Sequence, residues 1–279
     1  MKNRFLFTLF LFISISLNSI AIENRFEVSN IELANDGKIL IASDGNYVSG
    51  DREFEIKATK FIYNKEDNLL TVFDGETKNN LDGFVIKFNK STYNESDLIF
   101  SAKGDITIND YMNNLSIRSE RIIYDRKKNF LLIEGNVEVH ETANDYKYKS
   151  EKITINRKHN IIKSETKSII QDKFKNILLV NEFELDKNII KIINLNYKDY
   201  EGNNLSLDSA QIDTLSNKLI GKDILINLNN LTFDKKNEPR IKGKSISYND
   251  DITVISKGVF TPCKKTEKCP PWQLSAEKI

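Results

Sequence analysis

The sequence predicts an all-β chain in which an antiparallel sheet of two-strand repeats curls on itself into a jelly-roll-like or V-shaped trough. Three observations carry this. A unit recurs every 30 or 31 residues, apolar residues alternate with a period of two inside each unit, and the polar breaks between runs are short. Helices are nearly excluded, because the runs are rich in Ile, Val, Tyr, Phe and Thr and lack a 3.6-residue period.

The units align by eye. "FEIKATKFIYNKEDNLLTVFDGETK" from Phe54, "FVIKFNKSTYNESDLIFSAKGDITI" from Phe84, "LSIRSERIIYDRKKNFLLIEGNVEV" from Leu115 and "YKYKSEKITINRKHNIIKSETKSII" from Tyr146 bring Tyr63, Tyr93, Tyr124 and Ile155 into register. One step back lands on Leu33 and one step forward on Leu185, with weaker copies around Ile212 and Tyr248. The breaks "NKED", "NESD", "DRKKN" and "NRKHN" are turn chemistry, too short to return a chain for parallel pairing. Each unit is therefore two strands of an antiparallel meander.

The second strand of each unit separates its faces. Leu131, Ile133, Gly135, Val137 and Val139 point one way and Glu134, Asn136, Glu138 and His140 the other. Leu98, Phe100, Ala102, Gly104, Ile106 and Ile108 likewise share a face. Gly45, Gly75, Gly104 and Gly135 recur at matching offsets, which marks a bend or bulge where the sheet folds over. A long meander with one apolar face has to cover it, and curling does so. Pattern alone leaves two readings of that face, a filled core and a ligand groove.

The termini add compartment and context. Lys2 and Arg4 precede an apolar run from Phe5 to Ile13, and Ser19-Ile20-Ala21 supplies a small-x-small site, so residues 1–21 read as a secretory signal peptide rather than a membrane anchor. The mature chain is expected to begin near Ile22. The 41 basic and 40 acidic residues are evenly spread, which argues against a nucleic-acid stripe or polybasic membrane patch. No nucleophile elbow, metal-ligand spacing or glycine-rich phosphate loop appears, so no enzyme is expected. A β-helical polysaccharide lyase, a structural secreted repeat protein and a membrane barrel are the rival classes. The last stretch, "GVFTPCKKTEKCPPWQLSAEKI", holds Cys263, Cys269, Trp272, Pro262, Pro270 and Pro271.

The repeat written by Ser119 to Val139, S-E-x-I-x-Y-D-x-x-x-N-x-L-x-x-x-G-N-V-x-V, resembles the OstA-like repeat of lipopolysaccharide-transport proteins. The ending, "GVFTPC", a second cysteine and "PPWQLSAEKI", is similar to the junction between periplasmic jelly roll and membrane barrel in the LptD family of LPS-assembly proteins. The resemblance divides the chain into a signal peptide (1–21), a periplasmic OstA-like β-jelly roll (22–258) and a junction toward a barrel (259–279). It implies LPS transport at the outer membrane, in the periplasm, with lipid A acyl chains carried inside the roll. The lining residues expected on that basis are Leu70, Val72, Phe100, Ala102, Ile106, Ile108, Leu131, Ile133, Val137 and Val139, and a charge at Ile133 or Val137 is expected to hinder passage.

The same resemblance implies an LptA-like bridge partner joined by strand-edge pairing at the N-terminal strands around Phe26 to Ile41, and an LptE-like lipoprotein where a barrel is present. A charge-blunted edge is the alternative there. Two departures restrict the carry-over: the sequence holds no barrel, so a fragment or truncated product is expected, and it lacks the cysteine some members carry near the mature N-terminus. In the family the junction cysteines bond to cysteines of the barrel. Here Cys263 and Cys269 have only each other within the chain, and local pairing, an intermolecular bond or, more weakly, a zinc site with His140 and His159 all remain open. A free-standing LptA-like bridge is the alternative within the family.

Overall fold

The computed structural model describes residues 24–50, 52, 54–80, 83–111, 114–143, 145–216, 218–229, 237–249, 252–266 and 272–279. The expected leader, Cys269, Pro270 and Pro271 lie outside the described residues. All the regular structure described is β-strand. In chain order the strands are β1 (Arg25–Ala34), β2 (Ile39–Val48), β3 (Phe54–Asn64), β4 (Leu69–Asn79), β5 (Phe84–Asn94), β6 (Ile99–Asp110), β7 (Leu115–Asp125), β8 (Phe130–Glu141), β9 (Tyr146–Asn156), β10 (Ile161–Ser164), β11 (Ser168–Gln171), β12 (Ile177–Val180), β13 (Glu182–Asp186), β14 (Ile189–Lys198), β15 (Asn204–Asp213), β16 (Lys218–Asn227), β17 (Arg240–Asn249), β18 (Ile252–Thr261) and β19 (Leu274–Lys278).

These form one 19-stranded antiparallel sheet. From β1 to β9 and from β14 to β19 every strand pairs with its neighbour in sequence. Between those runs, β10 and β11 both pair with β9, as two halves of one interrupted strand, and pass the ladder to β13 and β12 respectively. β14 then receives both halves. The sheet is thus a single meander with free edges at β1 and β19. Its hairpins fall on two rims, one carrying turns such as 65–68 and 126–129, the other turns such as 172–176 and 199–203.

The bend expected at the recurrent glycines is present, and its chemistry is broader than glycine. Gly104 and Gly135 have φ of 79° and 78°, each followed by a left-handed residue, Asp105 and Asn136, and the register shifts there by a bulge. At Gly45 and Gly75 the left-handed residue is the preceding Asp44 or Asp74. Glycine serves close approach instead: a Cβ on Gly75 would sit 2.8 Å from Ala58 Cβ, and one on Gly45 would overlap the Glu27 carbonyl. In later strands the mid-strand left-handed position is taken by Asn194 and Asp223, with no glycine next to them, and by Lys257, which Gly258 follows.

These bends fold the sheet over its own apolar face. Phe54 on β3 and Tyr124 on β7 are four strands apart, roughly 19 Å in a flat sheet, yet their ring centroids are 6.5 Å apart. Asn24, just before β1, donates to Glu95 in the β5–β6 turn at 2.6 Å. The inner face gathers into two hydrophobic clusters, one spanning β2 to β9 and the other β12 to β18. Replacing Gly45 by Ala should push β1 off β2 and cost about 1–3 kcal/mol, read as a lower urea midpoint. At Gly37 a Cβ would meet nothing within 4 Å, and the cost of Ala there would come from its φ of 80° instead.

Candidate functional site

Following cross-strand partners reveals how the inner face is built. One lateral row runs Leu33, Leu40, Tyr63, Leu70, Tyr93, Phe100, Tyr124, Leu131, Ile155 and Ile162, and continues through Leu185, Ile190, Ile212 and Leu219 to Tyr248. All the repeat markers found in the sequence sit in it. A second row, beyond the bend, starts at Phe26 and Tyr47 and passes through Ile86, Ile108, Val139, Tyr148, Ile170, Leu178, Tyr197, Leu205, Ile226, Ile241 and Phe260 to Leu274. The rows lie on the two arms of the fold, and Thr77 is the one polar residue in the second.

The ten residues expected to line a groove are brought together, all in the first cluster. Leu70, Val72, Phe100, Ala102, Ile106, Ile108, Ile133 and Val137 are buried, and Leu131 and Val139 pack against them half-buried. In this half the arms close on each other. Phe54 touches Tyr93 and Tyr124 across the fold, and Phe26 stacks within 6.3 Å of Tyr47, Phe61 and Tyr63. Leu70, Val72, Ile133 and Val137 are 0% exposed. A charge at Ile133 or Val137 therefore disrupts the core itself, so such a variant reports folding before it reports passage.

From β10 onward the covering thins. Leu178, Tyr197, Leu205, Ile226 and Ile241 on one arm, and Ile190, Ile212 and Leu219 on the other, are only half-buried. These were not among the residues expected from sequence. The buried members of this second cluster are all aliphatic, whereas the first holds Tyr47, Phe54, Phe61, Phe88, Tyr93, Phe100 and Tyr124. Aromatic volume closes one half, and its absence leaves the other ajar. At the first edge, Ile31 and Leu33 belong to the inner face but stand 56% and 59% exposed.

A hydroxyl node separates the clusters. Ser150 on β9, Ser164, Ser168 and Thr166 bond to one another at 2.9–3.2 Å, and the Tyr148 hydroxyl meets Ser168 Oγ at 2.9 Å. It sits at the interruption of residues 165–167, between the two outer rows, which pass it unbroken on either side. Elsewhere inside, Thr77 Oγ1, Ser91 Oγ and Ser119 Oγ are buried without a partner.

The rim where the arms meet is sealed by polar groups from the turns. Tyr47 and Tyr63, from opposite arms, donate to the two oxygens of Glu95 at 2.6 and 2.8 Å. Arg126 donates to Tyr93 OH at 2.9 Å while its guanidinium lies 4.9 Å over the Phe54 ring, and Arg157 donates to Tyr124 OH at 3.2 Å. Burial and then the Glu95 carboxylate push the Tyr63 hydroxyl up to about 12 and the Tyr47 hydroxyl up as well.

The closing segment is anchored into the sheet. The boundary expected after Gly258 falls within β18, and β19 pairs back onto β18 from Phe260–Leu274 to Ser256–Lys278. Arg240 donates to the carbonyls of Glu238 and Cys263, and Thr261 Oγ1 donates to the Trp272 carbonyl at 2.7 Å. Cys263 carries a free, half-buried thiol. Among the described residues no three His, Cys, Asp or Glu side chains converge on a metal position, and His140 faces Asp145 at 2.9 Å. A cavity of about 550 Å³ lies on the wet face over β10 to β16, between Lys163, Glu182, Lys191, Lys222, Ile193 and Ile220.

Comparison with known proteins returned no matching family model and no matching curated sequence. What the fold and site define is therefore a class: a folded antiparallel meander whose inner face holds two apolar clusters divided by a hydroxyl node, the first with its arms in contact and the second with much of its lining half-buried.

Tyrosines held protonated in the fold stabilise it below their unfolded value, near 10, and that contribution is lost as pH rises through the folded one. Stability should therefore fall between about pH 10 and about 12. Tyr47→Phe should remove part of that fall, as read by urea unfolding across the range.

Proposed function

We propose that this protein is an OstA-like, LptD-type jelly roll that shelters the acyl chains of lipopolysaccharide in the periplasm and passes them toward the outer membrane. The observation that carries this reading is the pair of apolar rows on the inner face, one running from β1 to β19 and the other from β1 to β17. An acyl chain of about a dozen carbons costs about 10 kcal/mol to hold in water at roughly 0.8 kcal/mol per CH₂, and a continuous apolar lining removes that cost. Similar aliphatic contacts at each step keep the barriers to sliding low. The half-buried stretch, with Leu205, Ile226, Ile241 and Ile212, offers a chain the more accessible apolar surface, while in the closed half a chain enters only as the arms part.

In this reading β1 offers its unpaired edge to an LptA-like bridge, with the exposed Ile31 and Leu33 extending the lining across the joint. An LptE-like lipoprotein belongs to the full assembly where a barrel follows. The role is carriage rather than catalysis. A structural repeat protein is the second reading, favoured by the complete burial of Leu70, Val72, Ile133 and Val137.

A photo-crosslinking residue at Leu205 or Ile226 should label lipopolysaccharide in cells, and Leu205→Asp should abolish the label from position 226 while the purified variant melts close to the parent. Absence of label from both positions in a folded, exported protein would favour the structural reading.

A further inference from the structure

The two rims of the sheet differ in a way the interior does not explain. Tyr111, in the β6–β7 hairpin, Phe174, in the β11–β12 hairpin, and Tyr200, in the β14–β15 hairpin, are 70%, 62% and 71% exposed. Tyr146, where the β8–β9 hairpin enters β9, and Trp272, in the β18–β19 connector, are 47% and 53% exposed. All five lie on one rim. From β6 onward every hairpin of that rim contributes one, apart from the β16–β17 loop, whose residues 230–236 lie outside the described residues. With β10/β11 and β12/β13 each counted as one strand, successive hairpins stand two strands apart, about 10 Å at ordinary strand spacing. The opposite rim presents Glu66, Asp97, Lys127, Lys158 and Lys187 at its tips, and its one exposed aromatic residue among those described is Tyr248.

Tyr111, Phe174 and Tyr200 leave most of their surface in solvent, and Tyr146 and Trp272 about half, Trp272 packing edge-on against Phe260 at 5.8 Å; five such rings on one rim form an interaction edge. We infer that this aromatic rim seats the protein on the interfacial layer of a phospholipid bilayer, with its rings at headgroup depth. Tyr and Trp, apolar in body and polar at the tip, favour that layer. Positive charge flanks two of the rings: Lys173 and Lys175 flank Phe174 in the middle of the line, with the Lys173 ammonium 5.1 Å from its ring centroid, and Lys264 and Lys265 share the connector with Trp272 at one end. The carboxylates beside the other tips are partly engaged, since Asp172 and Asp199 accept from Asn176 and Asn203 within their own turns.

The sole tryptophan makes the test direct. The chain from Asn24 to Ile279, which holds every described strand, is mixed with vesicles of phosphatidylethanolamine containing a quarter phosphatidylglycerol. Flotation with the vesicles, a blue shift of Trp272 emission and its quenching by brominated acyl chains are expected. Replacing Tyr111, Phe174 and Tyr200 together by Ser should weaken flotation by more than about tenfold, given the ring area each contributes, with unchanged far-ultraviolet circular dichroism and melting. Leu215→Ser with Ile252→Ser, on the opposite rim, should leave flotation intact. Leu205→Asp should also leave it intact, which separates this inference from the acyl-chain reading. Absent flotation, equal flotation of the rim variant, or quenching that appears only with a soluble glycan or protein would each overturn it.

Discussion

An antiparallel sheet that is greasy on one face must hide that face, and this chain does so with a single backbone device repeated along the meander. A left-handed residue in the middle of alternate long strands bends each strand, and the bends align because the hairpins have nearly equal length. Asp44, Asp74, Asp105, Asn136, Asn194 and Asp223 take that position, residue types whose short polar side chains tolerate it. Removing the bends would leave a flat ribbon with rows of Tyr, Leu and Ile facing water. The rows, the two clusters and the sealed rim all presuppose the fold-over.

How tightly the arms close is a separate matter, decided by side-chain volume. Cross-arm aromatic contacts around Phe54 and Phe26 fill the first half, and the turn residues Glu95, Arg126 and Arg157 pin its seam. In the second half Ile192, Leu195, Leu207, Ile224 and Ile246 bury the apex alone. The hydroxyl node at Ser150, Ser164 and Ser168 sits at this change, where the ladder is interrupted, and it satisfies its own donors and acceptors within the break. The interior is thus largely apolar along both arms, with this node and the buried hydroxyls of Thr77, Ser91 and Ser119 as its polar points.

The alternation, the hairpins and the register were legible in the sequence because period two and short turns are local signals. The marker line from Leu33 to Tyr248 proved to be one physical row, including the copies that looked weak. Those copies looked weak in part because Asn194 and Asp223 do the bending there with no glycine next to them, whereas Lys257 keeps Gly258 beside it as Asp44 keeps Gly45. The interruption of β10 and β11 was not legible, since "SETKS" reads as ordinary strand-compatible chain. Nor was it apparent which residues stay half-open: Leu70, Ile133 and Val137 have the same alternation as Leu205 and Ile226, and only the distance between arms tells them apart. The drop in aromatic residues after Tyr148 was the available clue. The two-sided accounting of the rims was equally invisible, because turn-tip aromatics interrupt no pattern.

Because nearly every strand bonds only to its neighbours in sequence, the sheet behaves as a one-dimensional stack rather than a globule with interlocking parts. Such a chain gains stability by addition, hairpin upon hairpin, with short contour distances between partners and a correspondingly small entropic toll for closing each loop. Evolution can lengthen or shorten it by whole units without redesigning what is left, so the width of the sheet is set by how many copies of the unit the chain carries.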